Sequence, residues 1–213
     1  MTLRLDHLVV TAHTLAEGVR WCETTLGVTP GPGGKHPLMG THNRLVKIAS
    51  PGFEQAYLEI IAIDPEAPSP AHRRWFDLDS LTPEATPQLR HLVLRCDDIQ
   101  ATCAAMRAAG QDPGVPTAAS RETAQGLLQW QISVRADGAV MKGGAPPTVI
   151  EWTGLHPTTH MAELGLSLHA LHLAPGAVAL PVVGAIVSPG PAVLAKLRVT
   201  LRGPFGDITL HTP

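Results

Sequence analysis

The chain has 213 residues, 44% of them apolar, and a formal net charge of -2. It is long enough for one large or two small domains that bury a core without disulfide staples, and it lacks the basic excess that binding to nucleic-acid phosphates requires. The cysteines Cys22, Cys96 and Cys103 form no C-x-x-C pair, the N-terminus shows no apolar h-region, and no apolar run approaches the roughly 18 residues of a spanning helix, so a soluble cytoplasmic protein without nucleic-acid or membrane partners is expected.

In chain order, Leu5-Asp6-His7-Leu8-Val9-Val10 opens as an apolar strand with a histidine in its middle. Thr14 and Glu17 have capping-box spacing and open a helix over 15–26, whose apolar residues Leu15, Val19, Cys22 and Leu26 recur at helical spacing until Gly27. The glycine-rich stretch 31–43 lacks the G-x-x-x-x-G-K-[ST] spacing, which excludes a phosphate loop. Apolar, β-branched runs at 44–48 and 56–63 read as strands. Residues 64–88 contain five prolines and read as a linker with a short, solvated helix near 73–77.

Leu89-Arg90-His91-Leu92-Val93-Leu94 then repeats the opening at an offset of 84 residues. The offset carries Thr14 onto Asp98, another N-cap type, and Leu15, Val19 and Cys22 onto Ile99, Cys103 and Met106, predicting a second helix over 99–109 that stops at Gly110. Strands at 127–134 and 148–152 complete the second half. The reading is an α+β chain of two tandem βαβββ modules, 1–64 and 89–153, joined by the linker 65–88. A β-rich C-terminal extension, 154–213, carries apolar runs at 166–173, 192–201 and 206–211. These fit either a partial third module or an added sheet layer, with 174–191 as an irregular connection.

Each half also places a glutamate in an apolar strand: Glu59 in Tyr57-Leu58-Glu59-Ile60-Ile61 and Glu151 in Val149-Ile150-Glu151-Trp152. An ionised carboxylate in such surroundings costs several kcal/mol unless a cation or donor compensates it. His7 and His91, in the first strand of each half, are the partners the repeat offers. Two imidazoles and two carboxylates suit a divalent Zn, Ni, Mn or Fe ion; a metal-free pocket in which the four pair with one another is the alternative. His156 reads as a turn residue, and His169, His172 and His211 as surface or packing residues.

At these residues the chain resembles the glyoxalase-like domain proteins of the vicinal oxygen chelate superfamily. The stretches LDHLVV, HPLMGTHNRLVKI, AYLEIIAID, LRHLVL and VIEWTGLHP carry the resemblance, over residues 3–157. It implies curled half-barrel sheets, metal ligands His7, Glu59, His91 and Glu151 from the first and last strands of each module, and Glu151 as catalytic base. It also implies a mobile pocket-lining segment that makes His36, His42 and Asn43 candidate substrate contacts. The implied function is a metal-dependent lyase or isomerase that moves a proton on a small, vicinally oxygenated substrate; a drug-sequestering binding protein of the same fold is the alternative. A homodimer is compatible with either. The filled fourth ligand position disfavours an extradiol oxygenase, and no glutathione-binding residues map onto this chain.

Overall fold

The computed structural model describes residues 2–141, 144–187 and 196–213. Its centre is the antiparallel pair β1 (Arg4–Thr11) and β5 (Gln88–Arg95), whose ends lie 84 residues apart at both termini. The register repeats itself under that offset: Leu5 faces Leu94 as Val10 faces Leu89, and His7 faces Val93 as Val9 faces His91. The ladder skips one residue in each strand, Asp6 in β1 and Arg90 in β5. Such bulges let neighbouring side chains leave strict alternation and bend the strand.

Parallel to this pair run β4 (Tyr57–Ile63) beside β1 and β8 (Thr148–Thr153) beside β5. Next come β3 (Thr41–Lys47) and β7 (Gly126–Val134), with β2 (Lys35–His36) and β6 (Val115–Thr123) as edges. The result is one eight-stranded sheet in the order β2-β3-β4-β1-β5-β8-β7-β6. The sequence pattern had located neither edge strand. β6 contains Pro116 and is largely solvent-facing, features an edge tolerates and an interior strand does not.

The convex face carries the two helices. Thr14 and Glu17 form the expected reciprocal cap of α1 (Leu15–Trp21), both contacts at 3.2 Å. The final turn, Cys22–Leu26, widens into a π-turn before Gly27 at φ 74. Asp98 caps α2 (Ile99–Ala108) through Ala101 N at 2.8 Å.

A second sheet covers the rest of this face: β9 (Ser167–Leu173), β10 (Ala185–Val187), β11 (Leu197–Gly203) and β12 (Gly206–His211), in the order β10-β9-β11-β12. The extension is thus an added sheet layer. Of the irregular connection, 185–187 are strand; residues 188–191, and 192–195 of the next expected run, lie outside the described residues. Leu8, Leu58, Leu92 and Leu94 of the large sheet share one core with Cys22, Cys103 and Met106 of the helical segments and Leu171, Leu197 and Leu201 of the small sheet. Each fully buried leucine contributes roughly 1.5–3 kcal/mol.

The concave face is lined by Val9, Ile61, Val93, Ile132 and Ile150. The linker does not stay in solvent. Its short 3-10 segment, Trp75–Ser80, pushes Phe76 into this face, buried against the His91 ring at 5.4 Å between centroids. Phe76 and Asp77 adopt φ of 57 and 55, a left-handed conformation that costs a side-chain-bearing residue on the order of 1–3 kcal/mol. Asp77 N donating to Gly138 O at 3.0 Å and Arg90 beside the Asp77 carboxylate at 3.7 Å hold the turn.

Candidate functional site

Curling of the sheet leaves a small, partly open cavity on the concave face. Its polar side chains are His7 from β1, Glu59 from β4, Asn43 from β3, His36 from β2 and Arg121 from β6; Tyr57, Trp75, Trp130 and Trp152 form much of the apolar wall. A larger groove at the other end of β6, lined by Leu38, Arg73, Val115 and Arg135, has no histidine–carboxylate ion pair among the described residues.

Asp6 organises one end of the cavity. The bulge places its carboxylate beside His7, and it accepts from His7 Nδ1 at 2.7 Å, Trp152 Nε1 at 2.9 Å and His156 Nε2 at 3.1 Å. It is wholly buried. Burial alone would raise this carboxyl, but the hydrogen bonds from His156 and His7 outweigh it and hold Asp6 well below the usual carboxylate range. His156 accepts at Nδ1 from Thr158 N (3.3 Å), which leaves its Nε2–H for Asp6. His7 Nδ1 likewise donates to the Asp6 carboxylate, and the other ring nitrogen, Nε2, faces the cavity. That Nε2 lies 3.6 Å from Glu59 Oε2. Tyr57 stacks on the His7 ring at 4.6 Å, and Asn43 donates to Glu59 Oε1 at 2.6 Å while accepting from Gly34 N at 2.8 Å. An acidic residue beside a histidine in an otherwise apolar strand was the available signal for Asp6. Strict alternation points it away from His7, which is why it was missed, and His156 is its partner rather than a plain turn residue.

The structure brings His7, Glu59, His36 and Asn43 to the cavity and corrects three expectations. Glu151 lies on the convex face, where its Oε2 accepts from Ile99 N, the first helical amide of α2, at 2.8 Å. It is a helix cap, not a base. The register explains the difference: Val9 faces Glu59 and its repeat mate Val93 faces Thr148, so Thr148 is the counterpart of Glu59. Glu151 is three residues further on, an odd step that reverses the face. His42, between Thr41 and Asn43, likewise points away and lines a separate pocket beside His13 and Leu15. His91 is on the concave face, but its Nε2 accepts from Thr148 N at 3.1 Å and lies 3.0 Å from Thr148 Oγ1.

The four-residue metal set therefore does not fit. His7 and Glu59 meet, His91 is engaged by Thr148, and Glu151 faces the other way; among the described residues no three histidine, cysteine or acidic side chains are grouped to hold an ion. Replacing Glu151 with alanine is expected to remove a cap, costing about 1 kcal/mol and lowering Tm while leaving the His7 cavity intact. Thermal unfolding measured beside ligand binding checks this, and a loss of binding with unchanged Tm would return Glu151 to the site.

None of the curated proteins compared with the chain matches it. Among solved structures, a Streptomyces coelicolor methylmalonyl-CoA epimerase in complex with 2-nitronate-propionyl-CoA is 15% identical, with 71% of this chain and 98% of that one covered and a TM-score of 0.45. The methylmalonyl-CoA epimerase of Mycobacterium tuberculosis is 18% identical, with coverages of 70% and 85% and a TM-score of 0.41. A hypothetical protein from Staphylococcus aureus is 16% identical over 99% of this chain and 85% of its own, with a TM-score of 0.54, and shares the fold. The model of the glyoxalase-like domain matches residues 5–197. With its strands arranged about two matching halves, its sheet curled on its concave face and nearly its whole length matched, the chain belongs to the glyoxalase-like domain family.

Proposed function

We propose that this protein is a lyase or isomerase that moves a proton on a small carbonyl compound, with His7 as the base. The observation that carries this reading is the buried Asp6 carboxylate at 2.7 Å from His7 Nδ1, which leaves His7 Nε2 free inside the cavity. Nε2 takes the proton from the carbon next to the carbonyl, the electron pair of the broken C–H bond passes to the carbonyl oxygen, and Asp6 compensates the imidazolium that forms. Return of the proton, from His7 or by way of Glu59 3.6 Å away, to either face of that carbon or to its neighbour completes an isomerisation.

The thiols are unsuited to nucleophilic roles: burial pushes Cys22 up to about 12 and Cys96 to about 11. Their unpaired state supports a reducing, cytoplasmic setting. No helix among the described residues is long and apolar enough to cross a membrane.

The test is exchange of substrate α-protons with solvent deuterium, followed by NMR across 2-oxoaldehyde adducts, 2-hydroxy ketones and related oxygenated acids. Because the four expected metal ligands do not converge, exchange is expected to survive treatment with a chelator. Loss of exchange in EDTA, restored by one divalent ion, would overturn the metal-independent step. The tryptophan-rich wall favours a second reading, a small-molecule binding protein. Tight binding of apolar compounds with no exchange in any of them would select it.

A further inference from the structure

Two hydrogen-bond donors in the cavity wall have nothing to bind. Arg121 Nε and Trp75 Nε1 are both buried without a partner, although each side chain lines the same space as His7 and Glu59. Nor does the Arg121 guanidinium have a carboxylate within ion-pair distance among the described residues, which separates it from Arg74, Arg90, Arg107, Arg135 and Arg202. A buried donor without a partner is destabilising, more so when it is charged, so such an arrangement persists where an acceptor is bound in use.

The position of Arg121 follows from the closure of the sheet. It lies on β6, opposite Leu128 of β7, and β6 is the edge that curls over to meet the segment before β2. There the side chain lies against Gly34: a Cβ at that position would fall 2.3 Å from Arg121 Nη1 and 2.4 Å from its Cδ. Gly34 leaves the room in which the guanidinium sits. Burial and the charge of Arg121 push His36 down to about 3, so His36 is neutral and Arg121 is the cation in the lining.

We propose that Arg121, with Trp75 Nε1, anchors the carboxylate of a small monoanionic ligand whose apolar body lies against Trp130 and Trp152. This rests on the reading of the same cavity as a site for a small carbonyl compound, and it specifies the class: a small oxo or hydroxy acid. Charge selects a carboxylate over a phosphate. One guanidinium balances one negative charge, whereas a dianion would bring a second negative charge into a lining that already holds the Glu59 carboxylate. A planar carboxylate also matches the guanidinium fork.

The experiment uses the full chain, intrinsic tryptophan fluorescence and three unreactive probes: 3-phenylpropanoate, 3-phenylpropanamide and phenyl phosphate, at neutral pH. Wild type is expected to prefer the carboxylate over the amide by about 10- to 100-fold, the scale of a charge-assisted pair. R121Q should bind both equally at the amide's affinity, and R121K should keep part of the preference. G34A serves where R121Q does not fold, since it displaces the guanidinium from outside and should reduce the preference while leaving amide binding. Equal affinities in wild type, a preference that survives in R121Q or in G34A, tighter binding of phenyl phosphate, or no saturable binding of any probe would each overturn the proposal. Proton exchange on the full substrate panel separates the two readings. Exchange without carboxylate preference sinks this inference alone, and preference without exchange sinks the proton-transfer function alone.

Discussion

His7→Gln is expected to lower solvent-proton exchange by about 10²–10⁴-fold, the usual contribution of a positioned general base, with ligand affinity changed by much less. Glutamine keeps much of the size of the imidazole and can still donate to Asp6, but it presents no group to the cavity that takes a proton. Asp6→Asn is expected to reduce exchange as well, for a different reason. Asp6 accepts from three donors, His7, Trp152 and His156, and the asparagine amide would turn a donor toward at least one of them. That variant should therefore lose stability along with rate, because a buried donor left without its acceptor costs about 1–3 kcal/mol. Exchange followed by NMR, with ligand affinity and Tm measured on the same preparations, separates the two. Exchange in His7→Gln within a few-fold of wild type would remove His7 as the base.

Acidification is expected to destabilise the fold steeply between about pH 6.5 and pH 3, with His91 as a principal cause. Burial, followed by the proximity of His7 and Arg135, pushes His91 down to about 3. In the unfolded chain the same imidazole titrates near its ordinary value of about 6.5. Between those values the unfolded chain holds a proton that the folded chain does not. Stability therefore rises with pH through this window and is lost as pH falls through it. The slope from one such group is about 1.4 kcal/mol per pH unit, or roughly 4–5 kcal/mol across the whole interval. His36, also pushed down to about 3 by burial and by Arg121, acts in the same direction. Asp6 continues the loss at lower pH: its carboxyl is held down in the folded state, so its contribution is present above the ordinary carboxylate value and disappears as pH falls below it. Urea unfolding at intervals from pH 7 to pH 4 measures the slope. His91→Gln should make it shallower by about one group's worth, whatever its stability at pH 7. An unchanged slope would show that His91 is not held neutral in the fold.

Much of the architecture was legible because local signals and the internal repeat agree. The 84-residue offset locates both ends of β1 and β5, Thr14 with Glu17 and Asp98 announce the helix starts, and Gly27 and Gly110 lie just beyond the last turns. His7 and Glu59 were legible as partners for the same reason, since a histidine and a carboxylate in apolar strands each need a compensating group. These features depend on residues near one another in sequence, or on a pattern the chain states twice.

What the tertiary structure decided is the face on which each side chain stands and what meets it there. His7 and Glu59 are 52 residues apart, whereas His91 and the true counterpart Thr148 are 57 apart. The longer path in the second half shifts β8 against the repeat, and Glu151 ends on the convex face capping α2. The bulge at Asp6 similarly turned a residue that alternation assigns to the other face into the anchor of His7. Arg121 and Trp75 reach the cavity only because a curled edge strand and a linker fold over its mouth, contacts between segments with no periodic relation in sequence. Apolar periodicity selects an element and its buried face because hydrophobic burial sums over many positions. A single register step or bulge leaves that sum almost unchanged and still decides which polar groups meet, so only the folded chain fixes the site.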